Sequence, residues 1–332
     1  MNKYFQIISI DEAKNILIDN GLNINDKTDY TTGLFINNKL VATGSLYKNI
    51  IKLIAIKKEY QKENLLSLII TNLITELTTR GYSKYFLFTE ESNTKYFTNL
   101  GFKEVITAKG VSYLENSNNT IKETLEDLKV SLNLDNKSVG AVIVNCNPPT
   151  LGHLHLITSA AKNHDTLLVF LVSEDKSFFP YNARKKMLKQ ATKDLKNVHI
   201  LPSTNYLISS STFPSYFLKD FNAKASIEMH LDVKIFIHYF MPIFNIKKRY
   251  VGTEENDTFT NHYNKVLKHY LKDNLKIINR LKTNDTIISA SLVRKHFKEG
   301  NLSLVKKLVP EATYNFLTSK EAQELLKWRI IF

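Results

Sequence analysis

The sequence predicts an α/β protein of two domains, a mixed α+β domain followed by a doubly wound parallel-sheet domain. Its 332 residues suit two domains at roughly 150 residues each. A polar stretch from Glu115 to Ser138 separates two differently patterned regions. After it, apolar strands alternate with helices, which is typical of βαβ units and a parallel sheet. We place the first domain at residues 1–130 and the second at 131–332.

The composition is that of a folded protein of the reducing cytoplasm. Hydrophobic residues make up 43% and aromatic residues 11% of the chain, enough for ordinary cores. Cys146 is the single cysteine, so an intramolecular disulfide and a cysteine-rich metal cluster are excluded. The N-terminal segment carries acidic residues where a secretory signal has its apolar core. Because no apolar run approaches roughly 18 residues, we expect a cytoplasmic protein without a membrane segment.

The formal charge of +13 is compatible with an anionic partner, and equally with a compositional bias toward lysine. The lysines are scattered along the chain, and no nucleic-acid-binding motif accompanies them. We therefore expect no nucleic-acid partner.

In the first region, the segment GLFINNKLVATGSLY predicts a hairpin around Asn37-Asn38. A strand IIKLIAIKKEY, a long helix ended by Gly81, a strand KYFLFTE and a short helix SNTKYFTNLGF follow. The apolar stripe predicted for the long helix consists of Leu65, Leu68, Ile69, Leu73 and Leu77.

This order, with Asn93 and Leu100-Gly101-Phe102, resembles the N-acetyltransferase (GNAT) superfamily over about residues 30–110. That family holds the acetyl-CoA pyrophosphate on a glycine-rich loop before its long helix. Here the equivalent run is Gln61 to Leu66, where Asn64 and Leu66 replace small residues and Glu63 adds negative charge. We expect a degenerate acetyl-CoA site, and a domain that serves as scaffold or docking module.

The second region opens with a buried strand, Val139 to Asn145, a tight loop and a helix. Later strands are predicted in DTLLVFLV, NVHILP, KRYVG and NLKIINR. Ligands bind at the carboxyl ends of such strands, where the loop places Thr150-Leu151-Gly152-His153 at a helix N-terminus.

That tetrapeptide has the residue types of a phosphate site. A helix N-terminus offers unpaired N–H groups to an anion, and Gly152 permits close approach of the backbone. His153 and Thr150 are candidate donors to an α-phosphate. The alternative is that Thr150 caps the helix while His153 is an ordinary surface histidine.

A second motif, Ile288-Ser289-Ala290-Ser291-Leu292-Val293-Arg294, follows the last long strand. Ser289 is placed as a helix N-cap. With Ser291 it would hold β- and γ-phosphate oxygens, and Arg294 would bridge phosphates. The alternative is two capping serines and a solvated arginine.

The two motifs together resemble the paired signature of the nucleotidyltransferase superfamily, which has a Rossmann-like fold. The resemblance implies in-line attack on the α-phosphorus of ATP. It makes His153, Thr150 and Arg294 the catalytic residues, with catalysis by positioning and charge stabilisation. We expect no metal-ligating protein cage, and Mg²⁺ held mainly by the ATP phosphates.

A narrower resemblance, to the citrate lyase ligase family, spans nearly all of residues 139–296. It rests on GAVIVNCNPPTLGHLHLI, VSEDKSFFPYNARKKML, ISSSTFPSYFLK, RYVGTEENDTFTNHYN and ISASLVR. It implies that acetate and ATP form acetyl-adenylate. The prosthetic thiol of the citrate lyase acyl carrier subunit, on phosphoribosyl-dephospho-CoA, would then take the acetyl group and release AMP.

The same resemblance implies further site residues. We assign ATP contacts to Asn145, Asn147, Pro148, Gly152, Ser173, Arg184, Gly252, Glu254, Ser289 and Ser291. A substrate pocket is assigned to Phe213, Tyr216, Lys176 and His155. Alternatives remain for several of these: solvated side chains at Arg184 and Lys176, a strand-end turn at Gly252, and packing under a loop for the aromatic segment. We expect Cys146 to be a buried, inert thiol.

Two other functions compete with the ligase. One is a different adenylyltransferase, acting on a pantetheine phosphate or a mononucleotide. The other is a non-catalytic module that binds a nucleotide or docks citrate lyase subunits.

Overall fold

The computed structural model describes residues 2–330, apart from 62, 131, 133, 135, 136, 210, 214, 216–221, 255, 256, 284 and 285. For 326–330 it describes the backbone alone. The chain divides into two compact units, Met1–Ile121 and Lys122–Phe332. The division falls inside the polar stretch. Within the described ranges, no helix is both long enough and apolar enough to cross a membrane.

The first unit is a mixed α+β structure around one sheet. Its seven strands lie in the order β1-β2-β3-β4-β5-β7-β6 and pair antiparallel except for β4 with β5. Its elements are β1 (Lys3–Ile7), α1 (Lys14–Asp19), β2 (Tyr30–Ile36), β3 (Lys39–Tyr47), β4 (Ile50–Ile56), α2 (Leu65–Thr79), β5 (Lys84–Glu90), α3 (Thr94–Thr98), β6 (Lys103–Ala108) and β7 (Val111–Ser117). The predicted α+β class is confirmed.

The local predictions in this unit follow from backbone preferences. Asn37 and Asn38 have φ of 48° and 63°, as a two-residue hairpin turn requires. Gly81, at φ 83°, ends α2. The buried residues of α2 are Leu65, Ile69, Ile70, Leu73 and Leu77. The predicted stripe is wrong at Leu68, which is 39% exposed because it leaves the helix about 200° around from the buried Ile70.

The second unit contains a parallel, doubly wound sheet with helices on both faces. Its five strands lie in the order β10-β9-β8-β11-β12, and every pairing is parallel. Its elements are α4 (Ile121–Lys129), β8 (Val139–Val144), α5 (Leu151–Ala161), β9 (Thr166–Leu171), α6 (Tyr181–Ala191), β10 (Val198–Pro202), α7 (Ala223–Ile235), α8 (Met241–Ile243), β11 (Ile246–Gly252), α9 (Thr258–Leu271), β12 (Leu275–Ile278), β13 (Lys282–Thr283), β14 (Thr286–Ile287), α10 (Ala290–Lys298), α11 (Leu302–Lys306), α12 (Glu311–Leu317) and α13 (Lys320–Ile330).

The apolar side chains explain this arrangement. Every residue of β9 is buried, as in a strand covered on both faces. On one face, Ile157 of α5 packs with Val142 and Tyr250. On the other, Phe170 meets Phe240 edge to face. The predicted parallel sheet is confirmed.

The last helices form a further core with α6. Phe179, Met187, Val293, Phe297 and Phe316 belong to one buried cluster. The amide of Leu151 at the start of α5 donates to the carbonyl of Leu308 at 3.0 Å. These contacts fix the C-terminal helices beside the first turn of α5.

Candidate active site

The strand order identifies one edge of the parallel sheet as the place for a ligand. The chain leaves β8 toward β9 on one side, and β11 lies on its other side. Between β8 and β11 the connections therefore run in opposite directions, and α/β sheets bind ligands at such a switch point, at the carboxyl ends of the strands. The loops that begin there carry Asn145, Ser173, Thr253 and Arg280.

Thr150 and His153 form a capping box at the start of α5. The His153 amide donates to Thr150 Oγ1 at 3.3 Å, and the Thr150 amide donates to His153 Nδ1 at 3.1 Å. Since a backbone N–H can only donate, Nδ1 is an acceptor. The proton of the neutral ring therefore lies on Nε2, which becomes a donor.

The environment of His153 favours the neutral ring. Burial lowers its pKa to about 4, and the charge of Arg280 acts in the same direction. At neutral pH the side chain thus presents an N–H group, and it carries no charge of its own. This arrangement suits a donor to charge that develops on a phosphate oxygen.

The role predicted for Thr150 needs a correction. Its side chain is 1% exposed, and Oγ1 lies 2.8 Å from His153 Nδ1. The hydroxyl is thus engaged within the capping box, so Thr150 orients His153 and is not placed to donate to a phosphate.

The second motif meets the first. Ser289 caps α10 by accepting the Leu292 amide at 3.2 Å. Arg294 Nη1 donates to the carbonyl of Asn147 at 2.6 Å, and Nη2 donates to Ser291 Oγ at 3.0 Å. Residues 147 positions apart thus share one site. Ser291 is exposed, and burial lowers the pKa of Arg294.

Gly152 permits this approach of the two helices. A Cβ added at Gly152 would lie 3.2 Å from the carbonyl oxygen of Ile288. That is tighter than an ordinary van der Waals contact, and the obstacle is backbone. The glycine thus serves the contact between the motifs, a reason that the sequence did not reveal.

Arg184 is a structural residue in this arrangement, which corrects its assignment to ATP. It is fully buried, so it is not a solvated helix arginine either. Its guanidinium donates to four backbone carbonyls, those of Asn145, Val172, Glu174 and Phe179, at 2.7 to 2.9 Å. These bonds join the loops after β8 and β9, and they commit its donors to the protein.

The asparagines of the first loop hold the segment before α6. Asn145 Oδ1 accepts from Ser177 Oγ at 3.1 Å and from Arg184 Nη1 at 3.1 Å. Asn147 Oδ1 accepts the Phe179 amide at 2.9 Å. Pro148 is buried next to them. Cys146 is buried as well, and burial raises the pKa of its thiol, as expected for an inert cysteine.

Gly252 and Glu254 lie at the end of β11. Arg280, which the sequence did not indicate as a site residue, lies beside them. Arg280 follows β12 and forms an ion pair with Glu254. A Cβ on Gly252 would lie 3.5 Å from Arg280 Cγ. The signal for Arg280 is its place just after a strand, but only the pairing of Gly252 with Ile278 brings it to the site.

Three other assigned residues lie around this edge. The Ser173 amide donates to Ser203 Oγ at 3.1 Å, while Ser173 Oγ is a buried oxygen without a hydrogen-bond partner among the described residues. Lys176 is exposed on the segment before α6. His155 is half-buried and leaves α5 about 200° around the helix from His153.

Phe213 does not line an open pocket, contrary to the prediction. It is fully buried, and its ring lies 5.7 Å from that of Phe259 and 5.4 Å from that of Tyr263. Phe213 therefore packs under a loop, which was the alternative stated for this aromatic segment. Tyr216 lies outside the described residues.

In the part of the chain that is described, no group of three or more His, Cys, Asp and Glu side chains is arranged to hold a metal ion.

Comparisons with known proteins cover most of the chain. Residues 139–317 match the model of the family described as "Citrate lyase ligase C-terminal domain". The citrate (pro-3S)-lyase ligase of Haemophilus influenzae is 33% identical over 328 residues, which cover 94% of this chain and 98% of that protein. Its counterpart in Escherichia coli K12 is 32% identical over 92% of this chain and 89% of its own length.

Shorter similarities concern each unit. A phosphopantetheine adenylyltransferase of Campylobacter hominis is 30% identical over 91 residues, 26% of this chain and 57% of that protein. Among solved structures, an IAA acetyltransferase from Bacillus cereus is similar over 35% of this chain and 99% of its own, with 13% identity and a TM-score of 0.31. On the family match and the two long relatives, this chain belongs to the citrate lyase ligase family of enzymes.

Proposed function

We propose that this enzyme activates citrate lyase by acetylating the prosthetic thiol of its acyl carrier subunit, with ATP as the energy source. The observation that carries this proposal is the meeting of the two motifs. A neutral His153 with a donor Nε2 lies at the start of α5, and Arg294 is joined to the same loop through Asn147. This is a site for a polyphosphate beside a histidine donor.

In the first step, a carboxylate oxygen of acetate attacks the α-phosphorus. The bond from that phosphorus to the bridging oxygen breaks, and pyrophosphate leaves with its electron pair. Acetate is ionised at neutral pH and needs no general base. His153 Nε2–H stabilises the charge that grows on an α-phosphate oxygen, while Ser289, Ser291 and Arg294 hold the departing phosphates.

In the second step, the carrier thiol gives its proton to solvent and its sulfur attacks the acetyl carbon. The bond between the acetyl carbon and the phosphate oxygen of AMP breaks, so AMP leaves and a thioester forms. The same His153 donor stabilises the phosphate of the departing AMP. Both steps thus place negative charge at one position, which a single fixed donor serves.

Magnesium fits this site as an ion carried by ATP. The donor groups around the two motifs are hydroxyls, amides and cations, without a carboxylate cage among the described residues. We propose that phosphate oxygens and water hold Mg²⁺, whose charge offsets that of the phosphates.

Pyrophosphate release tests the function. The purified chain is incubated with ATP and Mg²⁺, first with acetate alone and then with deacetylated citrate lyase carrier. We expect acetate-dependent pyrophosphate release and carrier-dependent formation of AMP and thioester. Release driven by phosphopantetheine or a mononucleotide, without a response to acetate, would replace the ligase with another adenylyltransferase. Nucleotide binding without turnover on any of these substrates would favour the non-catalytic module.

A further inference from the structure

Arg280 crosses the carboxyl end of β11, one of the two strands at the switch point of the sheet. Gly252 pairs with Ile278 across the sheet, and the Arg280 amide donates to Thr253 Oγ1 at 3.1 Å. A Cβ on Gly252 would lie 3.5 Å from Arg280 Cγ and 3.6 Å from Nε. The side chain thus runs along the end of the strand, within ordinary van der Waals reach of Gly252.

Glu254 holds the guanidinium at this position. Its carboxylate is 4% exposed and pairs with Arg280 Nη2. The other carboxylate oxygen accepts the Asp257 amide at 3.1 Å. The arginine itself is 31% exposed, so one side of the cation faces solvent while the other is paired.

The charge of Arg280 reaches the catalytic histidine, since it contributes to the low pKa of His153. The other two arginines of the site differ from Arg280. Arg184 is committed to carbonyls, and Arg294 bonds Asn147 and Ser291 in the second motif, beside the proposed position of the departing phosphates. Among the described residues, the Arg280 guanidinium makes its hydrogen bond through Nη2. Its remaining N–H groups can serve a ligand.

We propose that Arg280 is a phosphate-binding residue of this active site, which contacts the α-phosphate of ATP and the phosphate of the departing AMP. This inference rests on the proposed nucleotide site. Glu254 keeps the guanidinium over Gly252 until the nucleotide arrives. The α-phosphate then lies between a neutral donor, His153, and a cation that approaches from the β11 side.

The test compares a ligand that has the phosphate with one that lacks it. Dissociation constants of AMP and adenosine are measured by titration calorimetry on the full chain, as wild type, Arg280→Gln and Arg280→Lys. Loss of a charge-assisted contact weakens AMP binding in Arg280→Gln by about tenfold or more, while adenosine binding stays within about twofold. Arg280→Lys keeps the charge without the fork and shows a smaller loss.

Lys276→Gln is the matched control, because it removes one positive charge from the exposed side of the same β12. Its AMP affinity stays at the wild-type value. Equal losses of AMP and adenosine in Arg280→Gln would mean a structural role and overturn the proposal, as would unchanged AMP binding. If Arg280→Gln does not fold, the same comparison in Arg280→Lys decides. A wild-type chain that shows no acetate-dependent pyrophosphate release and binds neither ligand would contradict the proposed function itself.

Discussion

The chemistry of single residues depends here on the position of one proton. The Thr150 amide occupies Nδ1 of His153, so the donor is Nε2. The sequence predicted a histidine in the first turn of a helix, but not its tautomer. The tautomer depends on the direction of the side chain, which points back so that Nδ1 accepts the amide of the N-cap residue Thr150.

Replacement of His153 by alanine tests the donor. Removal of one hydrogen bond to the developing charge costs about 3 kcal/mol of transition-state stabilisation, or roughly a hundredfold in turnover. We expect this loss in kcat for acetate-dependent pyrophosphate release, with ATP affinity less affected.

The control for this variant is His199→Ala, an exposed histidine of β10, whose turnover should match the wild type. Full activity in His153→Ala would remove this residue from the mechanism.

The protonation of His153 gives a second prediction. Its pKa in the folded chain is about 4, below the ordinary value of about 6.5. Since the folded state resists protonation, the stability from the neutral ring is present above pH 6.5 and is lost as the pH falls from 6.5 toward 4. We expect NMR of the ring nitrogens to show a protonated Nε2 at pH 7 and a midpoint near 4. A midpoint near 6.5, or a proton on Nδ1, would contradict the assigned tautomer.

Two arginines show how far residue roles could be predicted. Arg184 lies within a motif that suggested phosphate binding, yet burial and four carbonyls make it structural. Arg280 belongs to no motif, and the register of β12 against β11 brings it to the site. Sequence spacing indicates residue types at a loop, but the partners of a long side chain depend on which strands are neighbours.

At the scale of elements, Arg184 links α6 to the loops after β8 and β9. Arg184→Met would leave several buried carbonyls without a donor, at about 1–3 kcal/mol for each group left unsatisfied. We expect a loss of at least about 3 kcal/mol in the free energy of unfolding, measured by urea denaturation.

Lys189→Met is the comparison for this variant, since Lys189 is exposed on the same α6. Its stability should change by no more than about 0.5 kcal/mol. A stable Arg184→Met chain with weakened ATP binding would return Arg184 to the phosphate site.

The helices and strands themselves were largely predictable. The apolar runs of β8 and β9 and the stop at Gly81 follow from periodicity and backbone preference. The burial of Phe213 could not be predicted from the sequence, because an aromatic residue in a loop can either line a cavity or fill a core. Its neighbours Phe259 and Tyr263 come from α9, about 50 residues later in the chain.

At the scale of the whole molecule, the two units carry different expectations for ligands. In the first unit, α2 begins at Leu65 after Asn64, which makes no side-chain capping bond. The Glu63 carboxylate near this end pairs with Lys3 at 3.5 Å. On the GNAT resemblance of the sequence, this negative side chain would lie where the acetyl-CoA pyrophosphate needs a cradle of glycine amides.

Calorimetric unfolding of the full chain tests whether the second unit binds a nucleotide and whether the first unit binds acetyl-CoA. A ligand that binds only the folded state raises the stability of that state by mass action. With ATP or AMP at about a hundred times its dissociation constant, the gain is about 2.7 kcal/mol, and we expect a clear rise of the melting temperature. Acetyl-CoA at the same concentration should leave the thermogram unchanged, since the first unit offers its pyrophosphate no glycine loop. Coenzyme A alone is the control for weak effects of its adenosine phosphates on the second unit. A rise with acetyl-CoA that coenzyme A does not reproduce would show that the first unit retains an acetyl-CoA site, and the scaffold hypothesis for it would be wrong.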